Sequence, residues 1–475
     1  MASDNSVTSE LRRLLSLIGE AVNIAERYIS LPKEDKRAVE QPTDPELRTS
    51  ICTIEAACAQ LCSLVARPGD ILANKFLAVS HPNARMMPPA SLHAFQFYEP
   101  ACLQVALSNK VPDILQESPS GVSISELGRR TGVDEGKLGR ILRLLAAKHV
   151  FQEVSLSPVG PGTFVNNHLS RHLVSDNRLF NLGLGITGEC FKAASSLSDT
   201  LNDPAMTAST SPLDSAFSKH FGCNSQFFDY YAGSSTEHES RASDFNDGMI
   251  AWSSVVEANA VVFDFPWNKL PAGTIVCDIG GGVGDISVQL AKCYPTLHLI
   301  LHDLPKQIED AEKRFWPEHC PEAITEHRIE FIPLDFFKEY PRKHSDIYFL
   351  KNILHDWSDG DCIKILKNVE KVMGPSSRLL VHEFVIRPGY RVLEDEAKIA
   401  QAPVPLLSNF GEGRIRQHTM DINMMVIFNS RERTIEDFIY LGKAAGLEFV
   451  KLWETGEMGL VEFVQLRQCE GAASS

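Results

Sequence analysis

The stretch "DIGGGVGDISVQLAKCYP", which begins at Asp278, constrains the fold more than any other part of the sequence. It places four glycines within its first seven residues. The preceding residues, "GTIVCDIG", are apolar and β-branched, which predicts a buried strand. After the glycines, Ile286, Leu290 and Ala291 recur at helical spacing. Strand, glycine turn and helix together are typical of a nucleotide-cofactor loop, because glycine lets the backbone approach a ligand and a helix N-terminus presents unpaired N–H groups.

An acidic residue follows the loop at the distance that a nucleoside cofactor requires. In "PTLHLILHDLP", Leu297, Leu299 and Leu301 alternate, which predicts a second strand ending at Asp303. A carboxylate there, about 20 residues after the glycines, is placed to accept hydrogen bonds from ribose hydroxyls. Asp278, just before the loop, disfavours a pyrophosphate and suits a cationic ammonium group. Both requirements are met by S-adenosylmethionine, which carries a ribose and an amino-acid ammonium.

Two further segments carry candidate site residues and leave alternatives open. "IEFIPLDFFKEYP" puts Asp335 at a strand end, where it either binds the adenine amino group with Phe336 beside the ring, or caps a turn next to a core phenylalanine. "DIYFLKNILHDWSDGDC" predicts a buried strand that runs into a polar loop with Lys351 before it and His355 within it. A loop histidine is often structural, but ligands gather at the carboxyl ends of parallel strands, which favours a general base.

The ordered motifs "CDIGGGVGDIS", "HDLP", "PLDFF", "YFLKNILHDWSD", "LLVHEFVI" and "SRERTIEDFIYLGKAAGL" resemble the class I S-adenosylmethionine-dependent O-methyltransferases of the caffeate type. Within that family they are most similar to the fungal members that act on aromatic polyketides such as sterigmatocystin precursors. The resemblance covers about residues 91–466. It implies an α/β fold: a Rossmann-like, doubly wound methyltransferase domain preceded by a helical, winged-helix-like dimerisation domain, and therefore a homodimer.

The resemblance also implies a role for each matching residue. His355 matches the catalytic base, and Glu383 and Glu432 match the two acids that position it. The implied acceptor is a phenolic hydroxyl of an aromatic small molecule, with a polyketide as the expected class. No metal is implied, because the sulfonium already activates the methyl group. The implied cofactor-binding residues are Gly280, Gly281 and Gly282 for the methionine part, Asp303 for the ribose, Asp335 and Phe336 for the adenine, and Lys351 as a further contact.

The chain is predicted to contain four segments: a helical extension (1–90), a winged-helix-like dimerisation domain (91–175), a helical connector with the acceptor-pocket residues (176–255) and the cofactor-binding domain (256–466). In the extension, a helix is predicted to begin at Pro45. In the connector, the aromatic residues either line the acceptor pocket or belong to the core: Phe227, Tyr230 and Phe245. The helix of the extension has an apolar stripe that packs either on its own chain or on a second subunit: Leu47, Ile51, Ile54, Cys58, Leu61 and Val65.

Composition excludes several classes of partner. The formal net charge of −15 argues against nucleic acid. Lys137, Arg140 and Arg143 are therefore predicted to form the solvated face of a helix and not a DNA-recognition face. No apolar run approaches the ~20 residues of a membrane span, and the N-terminus lacks an apolar signal core, so no membrane contact and a cytoplasmic location are expected.

The 11 cysteines are scattered, without a CxxC pair. Cys52, Cys58 and Cys62 form a cluster whose spacing permits a zinc site in principle, but reduced core cysteines are the favoured interpretation.

Two other functions stay open at this stage. A relative could keep the cofactor but catalyse a dehydration or a pericyclic ring closure; the intact set of His355, Glu383 and Glu432 argues against that alternative. A winged-helix transcription regulator would need a basic recognition face and no cofactor site.

Overall fold

The computed structural model describes residues 2–29, 43–65, 97–154, 162–222, 227–231, 236–393 and 399–466. The chain divides into two compact units. One consists of Met1–Cys58 together with Ser253–Ser475, and the other of Ala59–Trp252. In the described part of the chain, no helix is both long enough and apolar enough to cross a membrane.

The N-terminal part of the chain contains two helices, α1 (Ala2–Ile29) and α2 (Pro45–Val65). Helix α2 begins at the predicted proline, but its predicted apolar stripe is not its buried side. Ile51 is 41% exposed, whereas Cys52 is only 7% exposed. The reason is a close backbone approach: a Cβ atom on Gly413 would collide with the carbonyl group of Cys52. The Cys52 side of the helix therefore faces the protein.

The second unit begins with a winged-helix arrangement. Its short strands form an antiparallel sheet in the order β1-β3-β2. Leu127, Leu138 and Leu142 are fully buried in its core, while Lys137, Arg140 and Arg143 are exposed, as predicted for a solvated helix face. The elements are α3 (Tyr98–Ser108), α4 (Val111–Gln116), β1 (Val122–Ser123), α5 (Ile124–Thr131), α6 (Glu135–Ala147), β2 (Phe151–Val154) and β3 (Thr163–Asn166).

The rest of this unit is helical and holds the aromatic residues of the connector. Phe227 is buried, and its ring lies 5.1 Å from that of Phe217 and 5.6 Å from that of Phe245. Tyr230 also packs edge-on against Phe217, at 5.4 Å. These residues therefore form an aromatic cluster among themselves. The helices are α7 (Arg178–Gly185), α8 (Phe191–Ala194), α9 (Leu197–Leu201), α10 (Ala216–Phe221), α11 (Phe227–Tyr231) and α12 (Thr236–Val255), which ends in the first unit.

The remainder of the first unit is an α/β domain around a seven-stranded sheet in the order β11-β12-β8-β7-β4-β5-β6. The strands β4 to β8 are parallel, and the β11–β12 hairpin joins β8 in antiparallel orientation. The sheet is therefore mixed, with the largely parallel core that the sequence predicts. Its strands are β4 (Ile275–Ile279), β5 (His298–Asp303), β6 (Ile329–Pro333), β7 (Ile347–Lys351), β8 (Arg378–Glu383), β11 (Leu447–Thr455) and β12 (Met458–Gln465); the pair β9 (Val385–Ile386) and β10 (Arg433–Thr434) forms a separate small sheet.

Helices cover this sheet. On one face, Leu350 of β7 and Val381 of β8 belong to a buried cluster with Ile365 and Phe438 of two helices. The alternate residues Phe349 and Leu380 are buried as well, and burial of both faces explains why the central strands are apolar almost without interruption. The helices of the domain are α13 (Val261–Asp264), α14 (Asp285–Cys293), α15 (Pro305–Asp310), α16 (Trp316–His319), α17 (Pro321–Thr325), α18 (Asp359–Glu370), α19 (Ile415–Phe428) and α20 (Ile435–Ala444).

The strand order places the site. From β4 the chain first builds the sheet through β5 to β6 and then returns to add β7 and β8 on the other side. The carboxyl ends of β4 and β7 therefore flank the point where the order reverses, which is where open α/β sheets bind ligands.

Candidate active site

The glycine loop follows β4 and can be built only from glycine at several positions. Gly280 and Gly282 have φ of 70° and 60°, values that L side chains rarely adopt. A Cβ atom on Gly280 would collide with Ile353, and one on Gly281 would lie 2.5 Å from Asp278 Oδ2. A Cβ atom on Gly282 would meet nothing within 4 Å. The loop thus packs tightly at its first two glycines and is open at the third, which forms a cradle for a ligand.

Asp278 lies beneath this loop with half of its carboxylate unused. It is 3% exposed, and its Oδ2 accepts a hydrogen bond from Ser287 Oγ at 2.6 Å. Among the described residues, Oδ1 has no hydrogen-bond partner. Burial raises the pKa of Asp278 to about 7. A buried, unpaired carboxylate oxygen beside a glycine cradle suits a cationic ligand group.

Asp303 occupies the predicted position at the end of β5. Its Oδ2 accepts a hydrogen bond from the backbone N–H of Gly282 at 2.8 Å, and its Oδ1 accepts one from Leu304 N at 2.7 Å. Burial raises the pKa of Asp303, while these two backbone hydrogen bonds oppose the rise. The structure therefore joins the acid of the second strand directly to the glycine loop.

Asp335 and Phe336 lie just after β6. Asp335 Oδ1 accepts a hydrogen bond from Phe337 N at 3.1 Å, and its Oδ2 lies 2.7 Å from Lys338 Nζ. The hydrogen bond from Lys338 lowers the pKa of Asp335. These are the contacts of a turn-capping aspartate, one of the two roles open from the sequence. Phe336 is half-buried and packs edge-on against Trp357, with ring centroids 6.1 Å apart.

Lys351 ends β7, next to the glycine loop's helix. Its Nζ donates to Ser253 Oγ at 3.1 Å and lies 3.8 Å from Asp285 Oδ2. Asp285 is the first residue of α14. The cation therefore lies near the N-terminus of the helix that follows the loop.

His355 lies in a single 3₁₀ turn, Leu354–Asp356, after β7. It is 8% exposed. Its Nδ1 lies 2.8 Å from Glu432 Oε1, and its Nε2 lies 3.5 Å from Asp356 Oδ1. Burial alone lowers the pKa of His355, but the surrounding carboxylates, Glu432 foremost, outweigh burial and raise that pKa to about 10. The ring is held by Glu432 on one nitrogen and has only a long contact on the other.

Glu383, one of the two acids that the resemblance implies for positioning His355, contacts the backbone of the turn and not the ring. Its Oε1 instead accepts hydrogen bonds from the backbone N–H groups of Ile353 (3.1 Å), Leu354 (2.5 Å) and His355 (3.3 Å). Burial raises the pKa of Glu383. The turn points its amides at the end of β8, so Glu383 binds the turn's backbone and Glu432 binds the ring.

The arrangement fits S-adenosylmethionine. The glycine cradle, the unpaired Asp278 oxygen and the Asp303 carboxylate lie together at the carboxyl ends of β4 and β5, which supplies both an opening and two negative groups. For a metal, no group of three or more His, Cys, Asp or Glu side chains within the described ranges has suitable geometry. In the predicted cysteine cluster, Cys52 is buried and reduced, and the Cys62 side chain lies outside the described residues.

Sequence reasoning gave no role to two residues that touch the turn. Asp356 lies on the Nε2 side of His355, and burial raises its pKa to about 7. Arg433 is 1% exposed and donates to Leu354 O at 2.6 Å. A charged residue inside the run "SRERT", directly after Glu432, was the available signal for Arg433; nothing in the sequence shows that its side chain turns inward.

Comparison with known families and proteins identifies the family of the chain. The O-methyltransferase domain matches residues 199–448, and the O-methyltransferase dimerisation domain matches residues 91–176. The 3-O-methyltransferase 2 of Phanerochaete chrysosporium is 39% identical over 468 residues, which are 96% of this chain and 97% of that protein. The chain therefore belongs to the O-methyltransferase family that carries this dimerisation domain. It is an S-adenosylmethionine-dependent O-methyltransferase.

Solved structures add to the comparison. CalO1, described as a methyltransferase in calicheamicin biosynthesis in its SAH-bound form, has a TM-score of 0.56 and 25% identity, covering 78% of this chain and 96% of CalO1. A structure described as a pericyclic reaction enzyme has a TM-score of 0.66 at 19% identity, covering 96% of this chain and 99% of that one. At that identity the second likeness concerns the fold alone.

Proposed function

We propose that this protein transfers a methyl group to a phenolic hydroxyl of an aromatic small molecule, with His355 as the general base. The observation that carries the proposal is the 2.8 Å contact between His355 Nδ1 and Glu432 Oε1 in a buried turn at the carboxyl end of β7. Glu432 holds the proton on Nδ1, so Nε2 is the nitrogen that we assign to the acceptor hydroxyl. Its contact with Asp356 is longer and weaker, at 3.5 Å.

The acceptor class follows from proton-transfer energetics. A phenol has a pKa near ~10, whereas a hydroxyl of water-like acidity lies near ~16. The surrounding carboxylates raise the pKa of His355, so transfer to Nε2 is far less uphill from a phenol than from such a hydroxyl. An aliphatic alcohol would leave the proton transfer strongly uphill. A phenol is therefore the hydroxyl that this base serves, and a flat aromatic polyketide is our proposed substrate class.

Cofactor binding is assigned to the other half of the site. The methionine part is held by the glycine cradle, Gly280 to Gly282, with Asp278 Oδ1 facing the ammonium group. Asp303 binds the ribose, and Lys351 supplies a further contact. Asp335 and Phe336 are assigned to the adenine, Phe336 by packing and Asp335 through the turn that it caps. When bound, the cofactor supplies a methyl group on a cationic sulfur, which needs no further activation.

The test is a panel of hydroxylated anthraquinones, xanthones and simple phenols incubated with S-adenosylmethionine and followed by mass spectrometry. We expect a mass gain of one methyl group on at least one free phenol and none on the matched fully O-methylated compounds. A product formed without methyl gain, by loss of water or by rearrangement, would instead support the dehydration or pericyclic alternative. Purely aliphatic alcohols as the methylated class would refute the phenol assignment.

The role of His355 has its own control. His298, an exposed histidine of β5, provides the matched variant. His298→Ala should keep wild-type turnover, while His355→Ala should lose most of it.

We also propose that the protein is a homodimer formed through residues 91–176, because the matched dimerisation domain covers that region. Sedimentation velocity at micromolar concentration should give the mass of two chains. A monomer at that concentration would refute the assignment.

A further inference from the structure

Three residues of one short segment, Ser430–Thr434, contact the His355 turn or Trp357, the residue that follows it. In this subsection the His355 turn includes Trp357. Ser430 Oγ donates to Trp357 O at 2.8 Å. Glu432 contacts the His355 ring. Arg433 reaches the turn's carbonyl groups. The proposed function above uses only the Glu432 contact.

Arg433 spans the turn. Its Nη1 donates to Leu354 O at 2.6 Å and its Nη2 to Trp357 O at 2.8 Å. Leu354 and Trp357 are the residues on either side of the pair His355 and Asp356. The planar guanidinium therefore binds the carbonyl groups on both sides of His355 and Asp356, a geometry that a lysine ammonium cannot reproduce with one nitrogen.

Glu383 and Arg433 bind the same turn from its two kinds of backbone group. Glu383 accepts from the turn's N–H groups and Arg433 donates to its carbonyl groups. Their strands are also joined, since β9 begins two residues after Glu383 and pairs with β10 through the register Arg433 to Val385. The acid at the end of β8 and the segment after α19 are thus connected independently of the turn.

Burial argues that this arrangement is specific. The Arg433 side chain is 1% exposed, and its carboxylate partner is Asp359, whose Oδ1 lies 2.9 Å from Nη2 and 3.1 Å from Nε. Taking a guanidinium out of water is costly unless its donors are satisfied. Its donors are directed at Leu354 O, Trp357 O and Asp359, the first residue of the helix that follows, and Nη1 makes one longer contact with Arg431 O at 3.5 Å.

We infer that Arg433 is a positioning residue for the reaction: it holds the His355 turn at the distance from Glu432 at which the imidazole is oriented for proton transfer. The inference rests on the proposed role of His355. The inference adds Arg433 to the residues that orient His355, because the contact between His355 and Glu432 depends on the position of the turn as well as on Glu432.

Removing Arg433 could change the pKa of His355 in two opposite directions. The direction observed therefore distinguishes a positioning role from a purely electrostatic one. The carboxylates of Glu432, Asp356 and Glu383 surround His355, and the Arg433 cation is bound to the carbonyl groups of Leu354 and Trp357. If only the positive charge mattered, its loss would raise the pKa of His355. If the turn relaxes, the Glu432 contact lengthens and that pKa falls toward the ordinary histidine value of 6.5.

The experiment compares Arg433→Ala with Arg431→Ala. Arg431 is the matched control, since it also pairs with Asp359, at 3.0 Å, yet its side chain is 47% exposed. We expect Arg433→Ala to lower kcat by about tenfold or more, to move the acidic limb of the kcat–pH profile to lower pH, and to leave KM for S-adenosylmethionine within about twofold. Arg431→Ala should stay near wild type in all three.

Two further variants keep the test decisive if Arg433→Ala folds poorly. Arg433→Lys retains the positive charge but loses the two-nitrogen contact with Leu354 O and Trp357 O. We therefore expect its kcat to be lower than that of Arg431→Lys. Millimolar guanidinium should restore part of the turnover of Arg433→Ala and none to His355→Ala.

Equal kcat–pH profiles for the Arg433 and Arg431 variants, or an acidic limb that moves to higher pH, would overturn the inference while leaving the base assignment intact. Wild-type turnover in His355→Ala would overturn both.

Discussion

Glu383 binds the backbone of Leu354, with Oε1 2.5 Å from its N–H, and not the imidazole of His355. The two acids of the site therefore act on different parts of the same turn. Glu432 contacts the ring, whereas Glu383 binds the backbone that carries it. Substitutions of the two acids should consequently have different signatures.

The first prediction concerns that difference. Glu432→Gln removes the strongest of the charges that raise the pKa of His355, so the acidic limb of the kcat–pH profile should move down by about one unit or more. Glu383→Gln leaves a neutral acceptor for the three amides, which costs about 1 kcal/mol of stability and shifts the limb less. Thermal unfolding and pH-rate profiles measure both. A larger shift for Glu383→Gln would contradict the assignment.

The second prediction concerns the base itself. A raised pKa means that wild-type turnover increases with pH well above 6.5, toward the value of about 10 given by the environment of His355. His355→Ala should lower turnover by ~10²–10⁴ and should gain rate only as the acceptor ionises. Calorimetry should find its cofactor affinity nearly unchanged, since Asp303 and the glycine loop remain. An unaltered rate and pH profile would make His355 a structural loop residue.

The third prediction concerns Asp303. Its carboxylate already binds Gly282 N, and the proposed ribose contact adds charge-assisted hydrogen bonds. Asp303→Ala should weaken S-adenosylmethionine binding by about tenfold or more in calorimetry. Asp310→Asn removes an exposed carboxylate that pairs with Arg314 and serves as the control. Equal affinity of the two variants would refute the ribose assignment.

The fourth prediction uses the protonation of Asp278. Its pKa is raised from 3.8 to about 7 by burial, so a fraction of the molecules carries the proton near neutral pH. An ammonium group at Oδ1 stabilises the carboxylate, and cofactor binding should therefore release protons. Calorimetry in two buffers of different ionisation enthalpy measures the release. Asp278→Asn should abolish the buffer dependence; its persistence would place the proton elsewhere.

The raised pKa of Asp278 also makes the stability of the folded protein depend on pH. Because the folded state binds this proton more tightly than the unfolded chain, the contribution of Asp278 is fully present below pH 3.8 and is lost as pH rises through about 7. Without cofactor, Asp278→Asn should accordingly lose less stability than wild type between those pH values, as followed by thermal unfolding.

The sequence predicted the strands, the glycine loop and the helix of the cofactor half correctly, because the signals for these elements are local. The strand, the glycine loop and the acidic strand end follow one another in the chain, and the residue types within each element indicate its conformation. Gly280 and Gly282 are needed for their φ values, and Asp303 ends its strand where alternation stops. The strand order then follows from the connections that parallel strands permit.

In the base half, the position of His355 after a buried strand favoured a general base, but its two acids were implied only by the family resemblance, because their contacts join distant segments. Glu432 meets His355 from 77 positions away, and no local pattern states that Glu383 selects backbone amides. The helix α2 gives a second example: its apolar spacing is helical, but Gly413 decides which side is covered. Tertiary contacts of this kind override the periodicity of an isolated helix.

The reversal of strand order between β4 and β7 divides the site into two sides. The residues assigned to the adenosyl donor, apart from Lys351, lie at the carboxyl ends of β4, β5 and β6. The histidine and its acids lie at the ends of β7 and β8 and just before β10. We therefore expect substitutions on the second side to change proton transfer more than affinity for the donor. A lineage built on this sheet can therefore abandon or replace its proton-transfer chemistry while still carrying the same adenosyl group.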